Sequence, residues 1–150
     1  MIRAIDLADM QEVLAFLLLQ QTAYRVEAER IGFDEIPPLF DSPQSLRDSG
    51  ESFFGYYEGS KLHGAAACKQ SPKEVVICRM MVHPDCFRRG IASKLLKHLE
   101  QFALPGMKMI VYTGTNNTPA VGLYDKHGYE PFHMQLLAPG ITLTQFQKML

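Results

Sequence analysis

The chain has 150 residues, 47% hydrophobic and 21% charged, with 11 Gly, 9 Pro and a net charge of -1. That size fits one domain, residues 1–150, with a core large enough to fold without staples; the apolar content excludes disorder, and the modest Gly and Pro counts exclude collagen-like or low-complexity chains. Near-neutral charge argues against nucleic acid or an anionic membrane as partner, and the apolar run Val13 to Leu19 is too short to cross a bilayer and lacks the flanks of a signal peptide.

Ile2–Ile5 reads as a short strand. Asp6 reads as an N-cap, followed by Leu7, Met10, Leu14, Leu17 and Leu18 at helical spacing. The helix continues through Tyr24 and Glu29, with Gly32 as its stop. Ile36-Pro37-Pro38-Leu39 cannot be regular α-helix, because successive prolines remove donors. Ser42-Pro43 opens a short helix to about Ser49. Strands follow at Ser52–Glu58 and Leu62–Lys69, joined by a hairpin turn, and then at Glu74–Val82. From Arg89 the period changes: Ile91, Ala92, Leu95, Leu99 and Phe102 share a helical face, and Pro105-Gly106 ends the run. Met109–Thr113 is a strand, Pro119–His127 a helix, and Glu130–Leu137 and Ile141–Met149 are closing strands. The order β-α-α-β-β-β-α-β-α-β-β predicts one mixed α/β sheet with helices on both faces.

Three cysteines, Cys68, Cys78 and Cys86, are too few and too irregular for a disulfide framework or a zinc site. They read as small buried side chains in a reducing cytoplasm. His63, His98, His127 and His133 show no metal-ligand spacing, so no metal is expected. Charge is uneven along the chain. Residues 1–75 hold 7 Lys/Arg against 12 Asp/Glu, and residues 76–150 hold 8 against 4. Such a division suits an anionic cofactor beside a cationic substrate. Arg79, alone in the apolar run Val75 to Val82, needs a partner or a polar cleft; facing an acceptor site, it would favour an acidic group on the substrate.

The most informative stretch is Val75 to Ser93, a strand, a loop at Pro84 and a helix opening at Arg88-Arg89-Gly90-Ile91-Ala92. A helix start offers unpaired amides and partial positive charge to an anion. Gly90 keeps a side chain out of the way, and Arg88 and Arg89 add cationic contacts. The loop therefore suits a phosphate, most simply a diphosphate. It has neither the P-loop nor the dinucleotide-binding fingerprint.

These residues carry a resemblance. Phe87-Arg88-Arg89-Gly90-Ile91-Ala92 is similar to the Gln/Arg-x-x-Gly-x-Gly/Ala acyl-CoA motif of the GNAT superfamily of N-acetyltransferases, with Phe87 departing at the first position. Asn117-Thr118-Pro119-Ala120 followed by Tyr124-Asp125-Lys126-His127-Gly128-Tyr129 resembles the family's Asn-x-x-Ala…Tyr-x-Lys-x-Gly-Phe/Tyr block. The resemblance implies a single mostly antiparallel sheet of about seven strands, split between the strand before the loop and the strand after the helix. It implies acetyl-CoA as co-substrate, with the pantetheine arm along Met80, Met81 and Val82. The diphosphate would rest on the Arg88, Arg89, Gly90, Ile91, Ala92 and Ser93 amides, and Asn117 would help position the cofactor. An amine would attack the thioester directly, with Tyr124 as general acid for the departing thiolate.

No base is singled out: Glu27, Glu29 and Glu74 are the candidates, and Cys78 and Cys86 read as structural. The alternative to an enzyme is an acyl-CoA-binding sensor that has lost transfer. The apolar C-terminal strand suits a homodimer.

Overall fold

The computed structural model describes residues 1–150. In chain order the elements are β1 (Ile2–Ala4), α1 (Met10–Ile31), α2 (Pro43–Asp48), β2 (Ser52–Glu58), β3 (Lys61–Gln70), β4 (Glu74–Val82), α3 (Ile91–Glu100), β5 (Lys108–Gly114), α4 (Thr118–Lys126), β6 (Glu130–Ala138) and β7 (Ile141–Met149). The seven strands form one sheet in the order β1-β2-β3-β4-β5-β7-β6, and only the β4–β5 pairing is parallel. Helices α1 and α2 cover one face and α3 and α4 the other, each over its own apolar cluster.

Helix α1 corrects the expected cap and face. Asp9, not Asp6, is the N-cap and accepts the Gln11 N–H at 2.9 Å; Asp6 instead closes a local turn by accepting the Ala8 N–H. The buried stripe runs through Val13, Phe16, Leu19, Gln20 and Ala23, leaving Met10, Leu14 and Leu18 exposed. Apolar residues occupy nearly every side of this helix between Val13 and Leu19, so local spacing does not identify the face; packing on β3 does. The Pro37–Phe40 segment is a 3-10 turn, as its prolines require.

Strand β4 contains the feature that organises the site. Ala67 pairs with Arg79 and Cys68 with Ile77, so Cys78 is an extra residue, a β-bulge. The bulge exchanges the faces of the strand. Before it, Val75 and Ile77 point into the cluster under α3; after it, Met81 joins the cluster under α1, while Met80 and Val82 pack on the α3 side.

Helix α3 begins at Ile91, because Gly90 takes a left-handed conformation (φ 77°). Its buried residues Ile91, Leu95, Leu96 and Leu99 contribute about 1.5–3 kcal/mol apiece by leaving water. The helix lies directly on β3 at Gly64, where a Cβ would stand 2.8 Å from Ile91 Cγ2 and 3.1 Å from the Met81 carbonyl oxygen. That close approach sets the start of α3 against the end of β4. Gly64→Val should therefore destabilise the protein by about 1–3 kcal/mol through overpacking, read as a lower urea midpoint with an unchanged m-value.

Candidate functional site

Parallel pairing of β4 with β5 covers only Glu74–Lys108 to Ile77–Val111. Beyond that point β4 stays with β3 as far as Val82, and β5 stays with β7 as far as Gly114. The sheet is therefore split through its second half. A cleft of about 930 Å³ opens there, with the start of α3 at one end and α1 across its mouth. All eleven residues expected at the site, Met80, Met81, Val82, Arg88, Arg89, Gly90, Ile91, Ala92, Ser93, Asn117 and Tyr124, line this one cleft. Glu27 lines it too, whereas Glu29 and Glu74 do not.

At the α3 end, the first helical bond runs from the Lys94 N–H to the Gly90 carbonyl, and the amides of residues 88–93 have no internal acceptor. Arg88 and Gly90 both have positive φ, 64° and 77°, which bends the loop around the helix start. For Arg88 this conformation is costly and is held by the surrounding structure. A Cβ on Gly90 would meet no heavy atom within 4 Å, so open space lies before those amides. Together they make a concave run of free amides, the geometry that an anion site requires.

Not every cation here is free. Arg89 is paired with Glu58, whereas Arg88 has no carboxylate partner. Phe87, where the family motif carries a polar residue, lies under Arg30 of α1, whose guanidinium carbon is 5.5 Å from the ring centroid. A cation thus reaches this end of the cleft from another element. Beside the loop, His63 Nδ1 lies 2.7 Å from Cys86 Sγ, a pairing across 23 residues that no local pattern announces.

In the middle of the cleft, α1 supplies two polar side chains one turn apart. Tyr24 Oη accepts the Met80 N–H at 3.2 Å and donates to the Met80 carbonyl at 3.4 Å. Glu27 accepts a hydrogen bond from Asn117 Nδ2 at 2.9 Å. Burial lifts the Glu27 carboxyl above its ordinary range, with Asn117, Thr113 and Arg30 pulling part of the way back. Asn117 is 7% exposed, and its Oδ1 has no partner. Because Glu27 takes the amide nitrogen, that orphaned oxygen remains as an acceptor.

Tyr124, on α4, is 2% exposed, packed against Tyr129 and Phe146. Burial pushes its phenol far up, helped by the neighbouring Tyr24 and Glu27. It therefore keeps its proton at any neutral pH. Cys78 also faces the cleft, and burial, with Glu51 nearby, raises its thiol to about 11. A thiol so protonated is a poor nucleophile.

Arg79 finds the partners its sequence position required within the protein, so it gives no argument for an acidic group on the acceptor. Its Nε and Nη2 donate to the two oxygens of Glu51 at 2.9 and 3.2 Å, and its Nη1 donates to Asp41 at 2.5 Å and to Gln20 at 3.0 Å. Burial lowers its pKa, but the two carboxylates more than offset that. Gln20 also donates to the Pro38 carbonyl and to Asp41. The cluster straps the Pro37–Asp41 segment, one wall of the cleft, to α1 and β4. Arg79→Ala would leave two nearly buried carboxylates without their counter-ion. The expected cost is about 3–5 kcal/mol, measured by urea unfolding.

No group of three or more His, Cys, Asp or Glu side chains comes together as a metal site, and no helix is long and apolar enough to cross a membrane.

Comparison with known proteins gives three kinds of match. The family model described as Acetyltransferase (GNAT) family matches residues 13–129. UPF0157 protein YqkA of Bacillus subtilis is 38% identical over 136 residues, 91% of this chain and 39% of that protein. The uncharacterized N-acetyltransferase YedL of Escherichia coli is 35% identical over 104 residues, 64% of this chain and 65% of its own length. The chain thus spans less than two thirds of either relative. Among solved structures, the PaiA N-acetyltransferase of Thermoplasma acidophilum in complex with coenzyme A superposes with a TM-score of 0.68 at 15% identity, covering 97% of this chain and 96% of that one.

Proposed function

The chain belongs to the GNAT acetyltransferase family, and we propose that it transfers an acetyl group from acetyl-CoA to a primary amine by direct attack on the thioester. The observation that carries this reading is the split sheet, with the residue 88–93 amides free at one end and the buried, unpartnered Asn117 Oδ1 in its wall. These donors and this acceptor fit the parts of acetyl-CoA. The amides of residues 88–93, with Arg88, would hold the diphosphate. Asn117 Oδ1 would accept a pantetheine amide N–H. Acetyl-CoA supplies the activated acyl group; the protein supplies position and protons.

Met80, Met81 and Val82 lie where an added strand would continue the sheet between β4 and β5. The Met80 N–H is now bonded to Tyr24, so Tyr24 must release it before it can stabilise the charge developing on the thioester oxygen. Tyr124, protonated and inside the cleft, would protonate the departing sulfur. A high thiol pKa at Cys78 supports direct transfer over a covalent enzyme intermediate. The three cysteines are free, which suits the cytoplasm.

Thermal unfolding with acetyl-CoA, then thiol release with a panel of primary amines, tests this function. Ligand at 100 times its dissociation constant should add about 2.7 kcal/mol of stability, and at least one amine should release thiol. Tyr124→Phe should lower kcat about 10²-fold or more with acetyl-CoA affinity unchanged. No thermal shift would overturn the reading. A shift without turnover on any amine would mark an acyl-CoA sensor.

Self-association would use the C-terminal edge. Strand β6 ends the sheet and exposes Phe132, Met134 and Leu136, a surface that supports a homodimer. A solution mass of twice 16.9 kDa is expected from light scattering; the monomer mass would refute it.

A further inference from the structure

We propose that Glu27 is the proton acceptor for the attacking amine, and that the acceptor is a strongly basic amine arriving as a cation. The proposal rests on the acetyl-transfer reading and adds the residue and substrate class that reading leaves open.

Position comes first. Glu27 projects from α1 into the gap between β4 and β5, within one turn of Tyr24, which reaches the Met80 peptide. Its carboxylate is fixed by Asn117 Nδ2 at 2.9 Å, from the start of α4, and the Thr113 side chain of β5 also favours its charged form. The β5 side of the split therefore fixes Glu27, while its helical neighbour Tyr24 reaches the β4 side. Tyr124 lies near enough to feel its charge. No other carboxylate lining the cleft is equally free: Asp41 and Glu51 are saturated by Arg79, and Glu29 and Glu74 lie outside.

Electrostatics gives the substrate class. The acceptor side carries Glu27, Asp41 and Glu51, and Arg79 neutralises one of the three carboxylates. Arg30, which lies over Phe87 and also acts on Glu27, offsets a second and leaves one net negative charge. A cation entering beside α1 therefore meets net negative charge. A lysine-like amine, with pKa ≈ 10.4, is almost wholly protonated at pH 7 and has no lone pair to offer. A carboxylate lifted by burial above its ordinary range is a better base for that proton than an exposed one.

The proton balance closes. Glu27 takes one proton from the ammonium, and the nitrogen lone pair forms the C–N bond as the C–S bond breaks. Tyr124 gives its proton to the sulfur and recovers one from the second N–H of the reacting nitrogen. Glu27 returns its proton to water. One proton is released per amide formed.

The groups facing Glu27 are Tyr24 and Arg30 from α1, Thr113 from β5, and Asn117 and Tyr124 from α4. Tyr124 and Tyr24 are pushed far up by burial, so neither changes charge in the working range. The acid limb then belongs to Glu27 and the amine. Turnover should fall as pH drops through the raised Glu27 pKa, because only the ionised carboxylate accepts a proton.

Glu27→Gln tests the assignment, since its amide oxygen can still accept from Asn117. Turnover should be measured against pH with the best acceptor of the amine panel. The variant should bind acetyl-CoA within twofold of wild type and lose about 10²-fold in kcat at pH 7. It should then regain about tenfold per pH unit toward the amine's own pKa, as the free amine becomes abundant. Full activity at pH 7, or a loss constant across pH, would overturn the role of Glu27. A best acceptor whose amine is already neutral at pH 7 would overturn the substrate class. Wild-type protein that binds acetyl-CoA yet acetylates no amine would instead remove the parent reading, and this proposal with it.

Discussion

Strands β4 and β5 share four residue pairs and then part, and each functional group described above depends on that separation. An unbroken sheet would satisfy the inward-facing backbone groups of Met80 and Val82 with β5 and leave no room for a ligand strand. Two devices keep the halves apart without tearing the core. The Cys78 bulge bends β4 where pairing ends, and β7 keeps β5 in the sheet to its last residue. Apolar clusters on the two faces then bear the cost of the opening, with Leu95, Leu96 and Met109 on one side and Phe16 and Leu46 on the other, all fully buried.

Much of this arrangement was legible in the sequence. Element order, the glycine stop of α1, the proline turn and the helix start at Gly90 all follow from local chemistry. The bend at residues 88–93 with its free amides was legible because a helix start needs only consecutive residues. That Tyr124 and Asn117 line the same cleft was legible through the family block rather than through any property of a lone Tyr or Asn.

Long-range pairings were not legible. Arg79 announced that it needed a partner, but its carboxylates lie 38 and 28 residues away, and no spacing rule links such distant positions. The face of α1 was also misjudged, because Leu14 and Leu18 look as apolar as Phe16 and Leu19. A usable signal did exist. Continuing the true stripe from Val13 and Phe16 leads to Gln20, Tyr24, Glu27 and Ile31 at helical intervals. Polar side chains on a face that must be buried mark a lined cavity. Reading the stripe to its end would have singled out Tyr24 and Glu27.

The bulge at Cys78 also governs which changes of chain length the protein can survive. Ile77 and Arg79 stand opposite the adjacent residues Cys68 and Ala67, with Cys78 left over. Losing Cys78 would therefore straighten β4 while keeping Arg79 at its carboxylates and Met81 beneath α1. Strand β3 has no spare residue between Ala65 and Cys68, so a one-codon deletion there would turn the rest of that strand through half a revolution and exchange two cores. Length heterogeneity among relatives should therefore be tolerated at the bulge and in the hairpin turns, and avoid the run Ala65 to Cys68.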